Sequence, residues 1–276
     1  MTLIKKLRAW EKLIADGLVA SRADAERWIL MRKVHCGDAQ VTSAGQLLPT
    51  DAQVTIQGLN DKYTSKGGYK LEGALAAFSA LFVAGRVAID AGASTGGFTD
   101  CLVKHGCARV YAVDVGYGQL HGSLRNHSAV VNLERTNISD APLLALDPVP
   151  DLGTVDLSYL SLRKGVPIFA EILHHRGDLI CLVKPLFEID DAQARREGVV
   201  PDDAYAPMLA DLCRDFCAQG MAVRGIAPSP VTGNTGTIEF FLWLALDGLD
   251  GLSTEAETQQ IDAAVSAALA LERYKK

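Results

Sequence analysis

The chain has 276 residues, of which 49% are hydrophobic and 22% are charged, the balance of a globular protein that can bury a large core. Its net charge of −6 excludes a polycation that would bind nucleic acid over its whole surface. The charge is uneven, because residues 1–60 carry eight Lys or Arg against six Asp or Glu and the remainder carries 19 against 27. This asymmetry favours a basic binding module beside an acidic body.

Hydropathy and cysteine usage exclude further classes of protein. No stretch approaches the ~20 apolar residues of a membrane span, and the amphipathic N-terminus lacks the apolar core of a signal peptide. The six cysteines include no CxxC pair, and no histidine cluster completes a zinc site. We therefore expect a cytoplasmic protein with reduced thiols, without a metal site and without membrane attachment.

Residues 1–60 predict a small α/β domain. Ser21 followed by Asp24 is a capping box that starts a helix, and Trp28 with Ile29 continues the buried stripe of that helix. The pattern then changes to short β-type segments separated by glycine and proline, which indicates strands and turns.

Residues 61–70 are polar and contain two glycines, and we predict that they form a linker. From residue 71 to residue 276 helical and strand patterns alternate, which predicts a doubly wound, Rossmann-like α/β sheet. The predicted strands are Val87–Asp90, Val110–Asp114, Leu152–Asp156, Leu179–Lys184, Met221–Ile226 and Thr237–Leu246. The predicted helices are Leu71–Leu81, Phe98–His105, Tyr205–Gln219 and a last helix opened by a capping box of Thr254 and Glu257.

The strongest local signal is VAIDAGASTGGFTD, residues 87–100, in which a buried strand ends at Asp90, Gly92 follows, and Gly96–Gly97 open a helix. A strand, a glycine turn and a helix N-terminus form the cofactor crevice of doubly wound sheets. The glycine spacing differs from the GxGxxG of dinucleotide-binding proteins. A carboxylate at the strand end suits an ammonium group better than a pyrophosphate, which favours S-adenosylmethionine over NAD.

Asp114 supports a cofactor role for this loop. It ends the second strand, 24 residues after Asp90, where an acidic side chain can accept hydrogen bonds from both ribose hydroxyls of a nucleoside. A glycine turn that serves only packing remains the alternative, but it does not account for the acid at position 114.

Four ionisable residues fall where a catalytic sheet would place them: Lys70, Asp156, Lys184 and Glu239. Each lysine alone has an ordinary interpretation as a solvated charge, whereas Glu239 within an apolar run must face outward or be paired. Together they form a neutral set whose mutual fields would help one lysine lose its proton. Methylation of an alcohol needs such a set, because a general base contributes roughly 10²–10⁴-fold to the rate.

The segment after the third strand argues against methylation of a base nitrogen. That reaction would more naturally show an aromatic NPPY-like loop at this place. The sequence here reads Asp156-Leu157-Ser158-Tyr159. We therefore expect an alcohol oxygen, such as a ribose hydroxyl, to be the acceptor.

Seven stretches together resemble the TlyA or hemolysin A group of rRNA methyltransferases, which is related to the FtsJ-like ribose methyltransferases. They are SKGGYKLEGAL, DAGASTGGFTD, AVDVGYGQL, VVNLERTN, VDLSYLSL, LVKPLFE and GTIEFFLWL, and they cover most of residues 62–246. The resemblance implies ribose methylation of cytidines in the rRNA of the small and large ribosomal subunits, without an obligatory protein partner.

The resemblance also implies roles for individual residues. A Lys-Asp-Lys-Glu tetrad carries over to Lys70, Asp156, Lys184 and Glu239, of which we expect Lys184 to be the base. Contacts to S-adenosylmethionine carry over to the following residues: Asp90, Gly92, Ser94, Gly96, Gly97, Phe98, Asp114 and Asn137.

The N-terminal segment is similar to the RNA-binding domain first seen in the fourth small-subunit ribosomal protein, here called the S-four-type domain. The stretch LIADGLVASRADAERWI carries this resemblance, although Cys36-Gly37-Asp38 stands where an Asn-Gly turn is usual. The resemblance implies phosphate contacts by basic residues. They are Arg22, Arg27, Arg32 and Lys33, together with Lys66, where the family more often has arginine.

Three alternative functions remain open on the sequence. A non-catalytic RNA-binding protein that keeps the cofactor fold would not bind S-adenosylmethionine. A nicotinamide dehydrogenase would bind NAD without any dependence on RNA. A membrane-lytic toxin would release the contents of liposomes.

Overall fold

The computed structural model describes residues 5–58, 61–233 and 236–271. The chain divides into two compact units, Met1–Lys62 and Tyr63–Lys276. Their boundary lies within the segment predicted to be a linker.

The first unit contains two short helices and five short strands. In chain order they are β1 (Lys6–Arg8), α1 (Ala9–Ala15), α2 (Arg22–Leu30), β2 (Val34–Cys36), β3 (Ala39–Gln40), β4 (Leu47–Pro49) and β5 (Val54–Ile56). Strand β1 pairs with β4, and β2 pairs with β3 and β5, all antiparallel. Ser21 accepts a hydrogen bond from the Asp24 backbone N–H at 3.1 Å, which confirms the predicted cap of α2.

The second unit is a larger α/β domain. Its helices are α3 (Lys66–Ala77), α4 (Gly97–Lys104), α5 (Gly122–Arg125), α6 (Leu162–Ile172), α7 (Pro185–Glu188), α8 (Ala192–Glu197), α9 (Tyr205–Ala218) and α10 (Thr254–Leu269), with 3-10 turns at Ala141–Ala145 and Asp202–Ala204. Its strands are β6 (Val87–Ala91), β7 (Arg109–Asp114), β8 (Val130–Glu134), β9 (Leu152–Val155), β10 (Asp178–Val183), β11 (Ala222–Pro228) and β12 (Phe240–Ala245). Among the described residues, no helix has the length and apolar character needed to cross a membrane.

The seven strands form one sheet in the order β11-β12-β10-β9-β6-β7-β8. Strand β12 runs antiparallel to both of its neighbours, and the other pairs are parallel. Successive residues of β6 belong to different apolar clusters. Ile89 belongs to the cluster that includes residues of α6 and α9, and Ala88 belongs to the cluster that includes residues of α3 and α4. The predicted doubly wound sheet is therefore confirmed, with apolar cores on both faces.

The structure corrects several predicted boundaries, among them the starts of α3 and α10. Helix α3 begins at Lys66, so half of the predicted linker is helical. Its glycines serve close packing, since a Cβ on Gly68 would lie 2.2 Å from the Tyr63 ring. The cap of α10 is Ser253, which accepts from the Ala256 backbone N–H, and not Thr254.

Strand order reverses at β6, which places the carboxyl ends of β6 and β9 side by side. Open α/β sheets bind ligands in the crevice outside such a switch point. The loop after β6 begins with Gly92, and Asp156 follows β9 directly.

Candidate active site

Gly92 brings the two loops at the switch point into contact. Its φ of +82° is in the left-handed region, and its backbone N–H donates to the Val113 carbonyl at 3.0 Å. A Cβ at this position would lie 2.2 Å from the Asp156 carbonyl oxygen. Only glycine allows both the conformation and this close approach.

We expect Gly92→Ala to destabilise the protein much more than Gly85→Ala. Gly85 has a φ of +79°, and a Cβ there would meet nothing within 4 Å. Gly85→Ala should therefore lose only the roughly 1–2 kcal/mol that a left-handed conformation costs a residue with a Cβ. The overlap at Gly92 adds about 1–3 kcal/mol and displaces Asp156. Urea unfolding of both variants measures the difference, and equal losses of stability would contradict the close approach.

A cavity of about 210 Å³ lies beside the end of β7. Its lining residues are Gly92, Ser94, Val113, Asp114, Val115, Gln119, Thr136, Ile138, Asp156, Ser158 and Tyr159. The two Asp114 carboxylate oxygens accept from the backbone N–H groups of Ser94 at 2.8 Å and Gly116 at 2.7 Å. These bonds fix the carboxylate and leave it further acceptor capacity toward the cavity.

The sequence did not single out the apolar part of this cavity. Val115, Ile138 and Tyr159 come from three different loops, and Tyr159 is half exposed. Burial raises the pKa of the Tyr159 phenol, and the nearby Asp114 charge raises it further. Apolar side chains beside one fixed carboxylate suit a nucleoside, whose base is flat and whose ribose donates hydrogen bonds.

A second cavity of about 400 Å³ adjoins the first and shares Gly92, Ser94, Asp156 and Ser158 with it. Its other lining residues are Ser65, Lys66, Gly67, Lys70, Ala93, Thr95, Gly97, Phe98, Lys184, Thr232 and Glu239. The structure therefore brings together all four predicted tetrad residues. Lys70 lies on α3, Asp156 follows β9, Lys184 follows β10, and Glu239 precedes β12.

Lys70 and Glu239 form the more buried of two ion pairs in this cavity. Lys70 Nζ donates to Glu239 Oε2 at 2.5 Å, and the two side chains are 11% and 6% exposed. Burial raises the pKa of Glu239, an effect that the Lys70 charge and hydrogen bond oppose. The charges of Asp156 and Lys184 also act on Glu239, so the four groups share one electrostatic environment.

Lys184 and Asp156 form the second ion pair. Lys184 Nζ lies 2.5 Å from Asp156 Oδ1 and donates to the Ser158 hydroxyl at 2.7 Å. The approach to Asp156 lacks hydrogen-bond geometry, so Oδ1 is a buried acceptor without a hydrogen-bond donor among the described residues. Both partners of Lys184 line both cavities, whereas Lys184 itself lines the larger cavity only.

Three predicted cofactor residues do not line either cavity: Asp90, Gly96 and Asn137. Asp90 is fully buried and accepts hydrogen bonds from Thr99 at 2.6 Å and Thr154 at 2.9 Å. Asn137 is exposed, and its side-chain oxygen accepts from the Ser139 backbone N–H at 3.1 Å, within its own turn.

Burial raises the pKa of Asp90 from its ordinary value of 3.8 to about 6, although the two threonine hydrogen bonds lower it. The folded chain binds the proton of the Asp90 carboxyl group more tightly than the unfolded chain does. The protonated Asp90 therefore adds to the free energy of unfolding in full below pH ~4, and this contribution is lost as pH rises through about 6. We expect the stability of the wild type relative to Asp90→Asn to fall by roughly 3 kcal/mol between pH 4 and pH 7. Urea unfolding across this range measures the slope, and a constant difference would contradict it.

The remaining predicted cofactor residues form the turn into α4. Ser94, Gly97 and Phe98 line the second cavity, and Gly96 caps α4 with a φ of +94°. Phe98 is buried and packs on Phe241, with ring centroids 6.1 Å apart.

The predicted RNA-contacting residues fall into two places. Lys66 is exposed at the start of α3 and lines the second cavity. The others belong to the first unit, where Arg22 pairs with Glu26 at 2.8 Å and Arg27 pairs with Asp24 at 2.9 Å. Arg32 and Lys33 follow α2, and Arg32 has a φ of +57°.

A protein-family model, the FtsJ-like methyltransferase, matches residues 63–246, which contain both cavities. The chain belongs to the FtsJ-like methyltransferase family. Membership in this family, together with the glycine spacing, leaves the nicotinamide dehydrogenase without support.

Named relatives extend over both units. The chain is 38% identical to the 16S/23S rRNA (cytidine-2'-O)-methyltransferase TlyA of Mycobacterium tuberculosis over 96% of this chain and 99% of that protein. It is 35% identical to Hemolysin A of Brachyspira hyodysenteriae over 85% of this chain and 98% of that protein. The solved structure of a hemolysin homologue from Streptococcus thermophilus matches with a TM-score of 0.70 and 31% identity over 96% of both chains.

Proposed function

We propose that this methyltransferase transfers a methyl group from S-adenosylmethionine to a ribose 2′-hydroxyl of rRNA, with cytidine as the nucleotide. The observation that carries the proposal is the meeting of two lysine–carboxylate pairs in one cavity, beside a smaller cavity that is lined by apolar side chains and the Asp114 carboxylate. The name of the Mycobacterium tuberculosis relative supports both the substrate and the atom that is methylated.

The smaller cavity fits the nucleoside part of S-adenosylmethionine. Asp114 would accept hydrogen bonds from the ribose hydroxyls, Val115, Ile138 and Tyr159 would contact the base, and Ser94 would lie toward the amino-acid part. When bound, the cofactor supplies a methyl group on a positively charged sulfur.

Asp114→Asn tests this assignment. The variant keeps the size of the side chain but loses its charge and one acceptor, so we expect affinity for S-adenosylmethionine to fall at least roughly tenfold. Asn137→Ala is the matched control, because its side chain lies outside the cavity and its affinity is expected to change less than about twofold. Calorimetric titration measures both, and equal effects would contradict the assignment.

Lys184 would act as the general base. Once its nitrogen has released a proton to solvent, it would take the hydroxyl proton as the ribose oxygen bonds to the methyl carbon and the bond from that carbon to sulfur breaks, which leaves a neutral thioether. Asp156, whose Oδ1 lies 2.5 Å from Lys184 Nζ, would hold the lysine nitrogen beside the incoming hydroxyl. Ser158 holds the lysine nitrogen from the other side.

Lys70 and Glu239 would keep the substrate oxygen in place. Their ion pair lies deeper in the cavity, and its mutual bond fixes both side chains before the substrate arrives. Fixed charges need no rearrangement during the reaction, and this pre-organisation lowers the barrier.

The first unit would bind rRNA through phosphate contacts by Arg22, Arg27, Arg32 and Lys33, in the manner of an S-four-type domain. Lys66, at the mouth of the larger cavity, would contact a phosphate near the target nucleotide. Because contacts between basic side chains and phosphates release bound counterions, we expect the affinity for RNA to fall with increasing salt concentration. A protein that modifies rRNA would act in the cytoplasm, which is the compartment expected from the cysteine content.

Incubation with labelled S-adenosylmethionine and purified ribosomal subunits tests the proposal. We expect label in the RNA fraction with wild type and almost none with Asp156→Ala. Failure of the purified wild type to bind the cofactor or to label any RNA would favour the non-catalytic RNA-binding alternative.

A further inference from the structure

Lys184 and its partners lie on two loops that follow neighbouring strands. Lys184 is the N-cap of α7, a helix of only four residues after β10. Asp156 and Ser158 lie in the loop that leads from β9 to the start of α6 at Leu162. Strand β10 holds the Lys184 backbone from one side, and the course of the chain on the other side depends on how the far end of α7 is held.

Glu188 holds that far end. It is the last residue of α7, and its side chain is 2% exposed. Its two carboxylate oxygens accept from the Ser161 hydroxyl at 2.7 Å and from the Leu162 backbone N–H at 2.8 Å. Both donors belong to the N-terminus of α6, where a negative charge is also favoured by the helix dipole.

Arg163 strengthens the same contact. Its guanidinium donates to the Glu188 carbonyl oxygen at 3.1 Å and lies 3.4 Å from the Glu188 carboxylate. Arg163 Nε also donates to Asp215 on α9 at 2.5 Å, which ties the pair to a long helix. Burial raises the pKa of Glu188, and these donors oppose that effect.

These contacts close a ring. Asp156 and Ser158 contact Lys184 at one end, and Ser161 with Leu162 contacts Glu188 at the other, one helical turn away. We propose that Glu188 is a positioning residue, which locks the loop after β10 onto the loop after β9 and so fixes the Lys184 amine toward Asp156 and Ser158. The inference rests on the proposed role of Lys184 as base.

A double-mutant comparison tests this inference in the full-length protein. Glu188→Gln removes the negative charge and one of the two acceptor oxygens with little change in size, which weakens the hold on Arg163 and on the N-terminus of α6. We expect kcat for methyl transfer to ribosomal subunits to fall about tenfold, with KM for RNA and cofactor affinity changed less than about twofold. In the Lys184→Ala background the same substitution should change kcat less than about twofold, because the positioned group is gone.

Asp178→Asn is the matched control. Asp178 is a buried carboxylate at the opposite end of β10, where it accepts from Trp243 at 2.7 Å and Arg86 at 2.6 Å. The Asp178→Asn variant should have a lower melting temperature but an unchanged kcat, both in the wild-type and in the Lys184→Ala background. An equal loss of kcat from Glu188→Gln in both backgrounds, or no loss in a folded variant, would overturn the positioning role.

Chemical labelling gives a readout that does not depend on methyl transfer. Acetylation of lysines followed by mass spectrometry should show Lys184 reacting several-fold faster in Glu188→Gln than in wild type, with Lys70 unchanged as the internal reference. Ser161→Ala, which removes one donor to Glu188, should act in the same direction if Glu188→Gln does not fold. Unchanged labelling of Lys184 would overturn the inference, whereas an inactive wild type with faster labelling in the variant would overturn only the proposed function.

Discussion

Lys184→Ala is expected to lower the rate of methyl transfer by roughly 10²–10⁴-fold, the contribution of a general base. The amine lies 2.5 Å from Asp156 in the larger cavity, and no described lysine other than Lys70 and Lys66 lines the same space. Since Lys184 does not line the smaller cavity, affinity for S-adenosylmethionine should change less than about threefold. Single-turnover transfer to ribosomal subunits and calorimetric titration of the cofactor measure the two effects.

Lys164→Ala is the control for this experiment. Lys164 is exposed on α6 and does not line either cavity, so its loss should leave the rate within about twofold of wild type. Full activity of Lys184→Ala would show that another group removes the proton, and the proposed mechanism would be wrong.

Lys70→Ala is expected to destabilise the protein by about 3–5 kcal/mol near pH 8, because it leaves the Glu239 carboxylate buried without its partner. Burial already raises the pKa of Glu239, and loss of the lysine removes the main effects that oppose this. The loss of stability should therefore be smaller at pH 5, where Glu239 can take up a proton. Urea unfolding at the two pH values measures it.

Two further variants separate stability from catalysis at this pair. Lys66→Ala, an exposed lysine at the start of the same helix, should change stability by no more than about 0.5 kcal/mol. The double variant Lys70→Ala with Glu239→Gln should regain part of the stability but no activity. A stability loss in Lys70→Ala that is equal at both pH values would contradict the buried, unpaired carboxylate.

Six of the seven strands in the large sheet could be predicted from the sequence, because apolar strands, glycine turns and helical stripes are local signals, whereas β8 was missed. Asp114, Asp156 and Lys184 were found because each lies at the end of such a strand. Asp90 was also predicted to end a strand, but β6 continues to Ala91, and the Asp90 side chain lies on the same face as Ala88, where it accepts a hydrogen bond from Thr99 of α4. The face to which a strand residue points could not be predicted here, because parallel strands that are buried on both faces show no alternation of polar and apolar residues.

The pairing within the tetrad could not be predicted from local patterns. Lys70 and Glu239 are 169 residues apart, and only the packing of α3 near the start of β12 brings them together. Glu239 was expected inside a strand, whereas β12 begins at Phe240, so the carboxylate lies just before the strand and faces the cavity. Ser158 and Glu188 were missed because their roles are contacts between loops.

The position of the transferred methyl group tests most directly whether two lysine–carboxylate pairs act on a sugar oxygen. Labelled rRNA from the reaction can be hydrolysed with alkali, which cleaves next to every free 2′-hydroxyl. The account predicts that the label is recovered in alkali-resistant dinucleotides with a 2′-O-methyl ribose. Label recovered in mononucleotides with a methylated base would contradict it.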